Sequence, residues 1–266
     1  MFTLDIPATS SAVDAIKAEL TRTLAHVKSS HRCEAFARGL GFRTYASLLI
    51  ATRSPTLATA KGATFSAYLA AHGFNVPPLS FYRAVARVAL RAVLDKVPNL
   101  TMWGIGTGRP QRKLDGKFET SREQYARFLA EREALVSDHA IEPFLLSLAC
   151  LANVKRTKTI RPGGSYWIKH IAENYACTYP EGEKLGPRYV ANGALIAAAV
   201  HAGFEFKTYV DHLGYDAVNV SFNMSKVALE DLDCRVRPTG AIAQSRRHRA
   251  EMRQYKSIYA SVSMRR

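Results

Sequence analysis

Two small groups of side chains have the types and spacing to do chemistry. His170 and Glu173 stand three residues apart. On a helix that spacing shares a face, and a carboxylate beside an imidazole is the arrangement proton transfer uses. Asp211, His212 and Asp216 form a second acid–histidine group. A metal site needs three or four converging ligands, and neither stretch fixes them. Each histidine reads better as a surface or core residue satisfied by a neighbour. The cysteines Cys33, Cys150, Cys177 and Cys234 are too far apart for a CxxC pair, so they read as buried thiols in a reducing cytosol. Gly104-Ile-Gly-Thr-Gly108 and Gly163-Gly164-Ser165 lack the spacing of a phosphate-cradling or dinucleotide loop. With no GxSxG or HExxH motif either, the expectation is a non-enzymatic protein with no catalytic residue, metal or cofactor.

Charge is the stronger signal. Lys and Arg total 37 against 22 Asp and Glu, a formal net charge of +15. That balance favours an anionic partner. Residues 162–234 carry five basic and nine acidic residues, net −4; residues 235–266 carry nine and one, net +8. The expected nucleic-acid contacts therefore lie outside 162–234. Arg83, Arg87 and Arg91 recur at i+4 and share one helix face. That helix is either the second helix of a helix-turn-helix, entering a groove, or a backbone-contacting or solvated arginine face. Arg109, Arg112 and Lys113 sit in a glycine-rich stretch, and Lys155, Arg156, Lys158 and Arg161 in a Gly/Pro connector. Arg246, Arg247, Arg249, Arg253 and Lys256 surround an apolar stripe of Met252, Tyr255, Tyr259 and Val262. This is a basic amphipathic helix, suited to docking by one face and meeting phosphates with the other, or to an anionic membrane or a partner groove.

The elements that must position these groups read as mainly helical. The spacing predicts helices near 11–28 (capped by Ser10 or Ser11), 30–39, 44–51, 64–72, 80–97, 120–136, 139–154, 165–176, 191–202 and 224–232. Residues 101–118 read as a basic loop or twisted hairpin. Residues 204–210 and 217–222 read as a small hairpin. Gly41-Phe42, Gly73-Phe74 and Gly203-Phe204 each look like a helix stop, with glycine left-handed and phenylalanine folded back. The expected organisation is a basic helical region, 1–161; a small acidic α+β module, 162–234; and a basic tail, 235–266. The apolar run 194–200 is too short to cross a bilayer. Nothing at the start resembles a signal peptide, so a cytoplasmic location is expected.

Two stretches carry a resemblance. Residues 30–49, SHRCEAFARGLGFRTYASLL, are similar to a helical segment of bacterial plasmid-borne proteins and some glyoxalase-related proteins. Residues 165–173, SYWIKHIAE, with 189–199, YVANGALIAAA, resemble uncharacterised proteins of plasmids and integrative elements. The resemblance implies a bacterial mobile-element setting and brings no site residues. The favoured expectation is an accessory protein holding DNA or RNA by its sugar–phosphate backbone. The alternative is a mobile-element protein-interaction module or inhibitor that binds a host defence or replication complex.

Overall fold

The computed structural model describes the backbone of residues 3–161 and 163–263 and side chains as far as residue 256. The chain is 53% helical, with eleven helices and a few short strands among the described residues. It is a mainly α protein.

Helices begin and end where local chemistry says they should. α1 (Ser10–Thr23) starts at Thr9, whose hydroxyl accepts from the Ala12 N–H, one residue before the expected cap. Its Val13, Ile16 and Leu20 are buried. α2 (Ser29–Gly39), α4 (Gly62–Ala70) and α9 (Asn192–His201) all stop at the Gly-Phe device. Gly41, Gly73 and Gly203 have φ of +86°, +82° and +80°. The N–H groups of Phe42, Phe74 and Phe204 reach back to Ala37, Leu69 and Ala199 O at 2.9, 3.0 and 2.9 Å. These are the bonds of a Schellman end.

α5 (Pro78–Lys96), α7 (Asp138–Leu151) and α9 form the middle of the molecule. α5 packs on α1, α4, α7 and α9, while α7 packs on α8 (Ser165–Glu173) and α9. α9 is buried from Asn192 through Ala199, and α7 from Phe144 through Leu151. A helix apolar all round belongs in an interior. One cluster of buried residues runs from Leu4 to Leu232. The core thus passes uninterrupted through the expected division at 161/162. α3 (Tyr45–Ala51), α6 (Ser121–Ala134) and α10 (Lys226–Val236) lie around it.

The strands form four two-stranded antiparallel ladders: β1 (Asp5–Pro7) with β2 (Leu57–Thr59), β3 (Leu100–Thr101) with β4 (Gly104–Ile105), β5 (Cys177–Thr178) with β6 (Lys184–Gly186), and β7 (Phe206–Lys207) with β8 (Ser221–Phe222). Phe206 pairs with Phe222 and Lys207 with Ser221, which is the expected small hairpin near 204–222. β3–β4 begins the glycine-rich 101–118 stretch, and Arg112 bridges to Phe118 farther along it.

α11 (Ala241–Ser263) is the tail. Its first turns sit on α10, with Ala243 buried. Met252 and Tyr255 are 43% and 60% exposed. The side chains of Tyr259 and Val262 lie outside the described residues. Among those residues no single helix is long and apolar enough to cross a membrane. Of the cysteines, Cys150 alone is fully buried, and burial pushes its thiol up to about 12. Cys33, Cys177 and Cys234 are half-buried.

Candidate functional site

The expected cations separate into those bound to the protein and those left to solvent. Arg87 corrects the sequence reading most sharply. It is 9% exposed. Its guanidinium donates to Glu19 at 2.9 Å, to Asp138 and to the Val136 carbonyl. Glu19 is also held by Arg22 at 2.6 Å. Burial pushes the Glu19 carboxyl up, but the bonds and charges of Arg22 and Arg87 outweigh it and hold it below its ordinary range. The expected groove helix is α5, with Phe81, Tyr82, Val85 and Leu90 in the core. Only Arg83, Arg91, Ala92, Asp95 and Lys96 of this helix are exposed, so Arg87 is not on a face that could enter a groove. Arg83 pairs with Glu142 at 2.6 Å, and Arg91 is exposed.

The glycine-rich stretch is internally committed as well. Arg109 binds Asp211 at 2.7 Å, Arg112 donates to the Gly116 carbonyl at 3.1 Å, and Lys113 binds Glu123 at 3.0 Å. Asp211 also accepts from the Leu213 and Tyr215 N–H groups at 2.8 and 3.0 Å. It therefore organises a turn. Among the described residues no three of His, Cys, Asp and Glu converge as metal ligands. On the tail, Arg246 is spent on Glu230 and Asp231 of α10.

Of the other expected cations, Arg91 on α5 and Arg112 in the glycine-rich stretch are exposed without a carboxylate partner among the described residues, and the rest lie on two elements. Lys155, Lys158, Arg161, Arg247, Arg249, Arg253 and Lys256 are exposed, and among the described residues they form no ion pair. Arg156 is exposed and donates to the Gly203 carbonyl at 3.2 Å. The 155–161 connector is pinned along 222–225: the Thr157 N–H binds Asn223 O at 2.7 Å, and the Ser225 N–H binds Lys155 O at 2.9 Å. α10 follows directly. The connector and α11 therefore meet the same short helix, one at its start and the other at Glu230 and Asp231.

A second feature lies on α8. His170 and Glu173 do meet, with His170 Nδ1 2.5 Å from Glu173 Oε2. Lys169, 5% exposed, binds the other carboxylate oxygen at 2.8 Å. The Val190 N–H adds a bond at 3.3 Å. Burial raises the Glu173 carboxyl, but the bonds from Lys169, His170 and Val190 prevail and hold it below its ordinary range. An ionised carboxylate only accepts, so the His170 proton facing it sits on Nδ1.

This trio lines a cavity of about 950 Å³ that also takes in Trp103, Tyr166, Arg188, Tyr189, Asn192 and Asn219. Trp103, Tyr166 and Tyr189 are 52%, 56% and 60% exposed. The Lys169 ammonium lies 5.1 Å from the Tyr166 ring centre and 5.0 Å from that of Tyr189. Asn192 opens α9 and is 5% exposed. Its amide nitrogen donates to Trp103 O, Val218 O and Asn219 Oδ1 at 3.2, 3.0 and 3.2 Å. Among the described residues its Oδ1 has no hydrogen-bond partner. The floor is tight because glycines allow it: a Cβ on Gly193 would stand 1.9 Å from Thr101 O, and one on Gly104 2.0 Å from Val218 O.

Of this cavity, sequence reading singles out His170 and Glu173, and it names Tyr166 and Tyr189 with Trp167, Tyr175 and Tyr179 as an aromatic group that suits a small core better than base stacking; Tyr179 is buried, but Tyr166 and Tyr189 are exposed. The aromatic and amide members come from separate segments, and their sole signal was the concentration of aromatic residues near 166–189. No family model, curated protein or solved structure matches the chain.

Proposed function

We propose that the chain is a nucleic-acid-binding accessory protein that holds a sugar–phosphate backbone between the 155–161 connector and α11. The observation that carries this reading is the sorting of the cations. Arg83, Arg87, Arg109, Lys113 and Arg246 neutralise the protein's own carboxylates, while the connector cations and Arg247, Arg249, Arg253 and Lys256 do not among the described residues. Unneutralised guanidinium and ammonium groups on neighbouring elements release counterions when they meet phosphates. No base-reading helix is implied, so affinity should depend little on sequence.

The test is fluorescence anisotropy with duplex DNA, single-stranded DNA and RNA at several salt concentrations. If all eight connector and tail cations engage duplex, the log–log salt slope approaches about −7. Reversing Lys155, Arg156, Lys158 and Arg161 to Glu, or Arg247, Arg249, Arg253 and Lys256 to Glu, should each remove about half of that slope. A salt-insensitive complex, or no complex at low salt, defeats the reading and turns attention to an acidic protein partner.

A further inference from the structure

We propose that the cavity beside α8 binds a nucleotide, with its base stacked against the exposed rings of Trp103, Tyr166 and Tyr189 and a base N–H donated to Asn192 Oδ1. The inference stands apart from the connector–tail reading, since it rests on different residues.

The volume, about 950 Å³, lies within the range of small-molecule sites, which combine aromatic walls with a few fixed polar groups. Three large aromatic rings left half-exposed around one opening are a stacking platform, and stacking on them is tolerant of which base arrives. Asn192 supplies the fixed polar group. Its amide nitrogen faces two backbone carbonyls, which are acceptors only, so the amide orientation is set by chemistry. Oδ1 is therefore an acceptor, buried and without a partner among the described residues, on a residue that lines the cavity. Such a group wants a donor, and every nucleobase has an edge with an N–H.

The cavity's charges are already matched. Lys169 and His170 share Glu173, and Arg188, which also lines the cavity, pairs with Glu142. Both Glu173 oxygens are already engaged, one by Lys169 and the other by His170. A sugar offers hydroxyl donors and would want free carboxylates, and glycoside hydrolysis needs two of them. A ligand with a flat ring and N–H donors is the better match.

Trp103 makes the site readable. Besides it the chain has only Trp167, whose indole N–H binds Asp233 of α10 at 3.2 Å. The full chain is titrated with AMP, GMP, CMP and UMP, with single-stranded oligo-dT and oligo-rA, and with maltose, reading tryptophan emission. Saturable quenching by mononucleotides identifies a free nucleotide as ligand. Quenching by the strands alone identifies a base held within a chain. Either supports the proposal, provided Trp103→Phe abolishes the signal and Tyr166→Ala or Tyr189→Ala weakens binding at least about fivefold. Tyr166→Phe and Tyr189→Phe keep the rings over Lys169 and should retain binding, which separates stacking from loss of local structure. Reversal of the α11 cations should leave mononucleotide quenching unchanged, so failure of the two readings is told apart. No saturable quenching by nucleotide or strand, quenching indifferent to both alanine variants, or an equal response to maltose overturns the proposal.

Discussion

Arg87→Ala separates an arginine that holds the fold from one that holds a ligand. In the folded protein the guanidinium is the shared partner of Glu19, Asp138 and the Val136 carbonyl. Removing one member of a buried ion pair costs about 3–5 kcal/mol, because the other charge stays desolvated. Two features place Arg87 at the low end. The Asp138 side chain is 78% exposed and rehydrates, and Arg22 still holds Glu19. The expected loss is about 3 kcal/mol, roughly a 150-fold change in the folding constant. With a urea slope of about 3 kcal/mol per molar, the midpoint should fall by about 1 M. Adding Glu19→Gln to the variant should restore part of that loss, since the stranded charge is gone. Nucleic-acid affinity, measured at a temperature where the variant is folded, should stay within about twofold. A variant as stable as the parent but crippled in binding would refute the assignment and return Arg87 to the interface.

Other consequences follow from the same geometry. Gly193→Ala drives a Cβ into the Thr101 carbonyl and should cost about 1–3 kcal/mol in chemical denaturation. Gly41→Ala meets open space but keeps a φ of +86°, so about 1–2 kcal/mol of left-handed strain is the whole loss. Glu173 has a folded pKa below its unfolded value near 4.5. Its contribution is therefore present above pH 4.5 and lost as pH falls through the folded value. The stability difference between the parent and Glu173→Gln should be flat above about pH 5.5 and shrink below 4.5. Burial lowers His201 below its ordinary 6.5. Stability tied to its neutral form is complete above pH 6.5 and declines below it. Urea midpoints of His201→Leu should fall less than the parent's between pH 6.5 and 5.

The helices were legible because their signals are local: a hydroxyl before the first turn, apolar residues every three or four, a glycine and phenylalanine at the stop. The ladders were less so. Two- and three-residue strands such as Asp5–Pro7 and Leu57–Thr59 pair across some fifty residues, and nothing within either segment announces its partner. The row of Arg83, Arg87 and Arg91 was readable as a row, but its destination was not. Glu19 lies 68 residues away in sequence, and only packing of α1 on α5 turns a basic stripe into an interior ion pair. Similarly, the spacing of His170 and Glu173 announced a contact that the structure makes. Trp103, Tyr189, Asn192 and Asn219 join them only once β3–β4, the start of α9 and the segment before β8 come together. Arg246 looked equivalent to Arg247 and Arg249 on the tail. It differs because α11 leaves α10 at an angle that sets it between Glu230 and Asp231.

The central claim is that cations without a carboxylate partner, and not the total positive charge, bind nucleic acid. The most direct measurement compares salt-dependent anisotropy of the parent with two variants of equal charge change. One reverses Arg247, Arg249, Arg253 and Lys256 to Glu; the other reverses Arg83, Arg109, Lys113 and Arg246 to Glu. The first should lower affinity steeply and flatten the salt slope by about half. The second should lose stability yet, where folded, keep a slope close to the parent's. Equal losses from both would show that net charge alone governs binding and contradict the account.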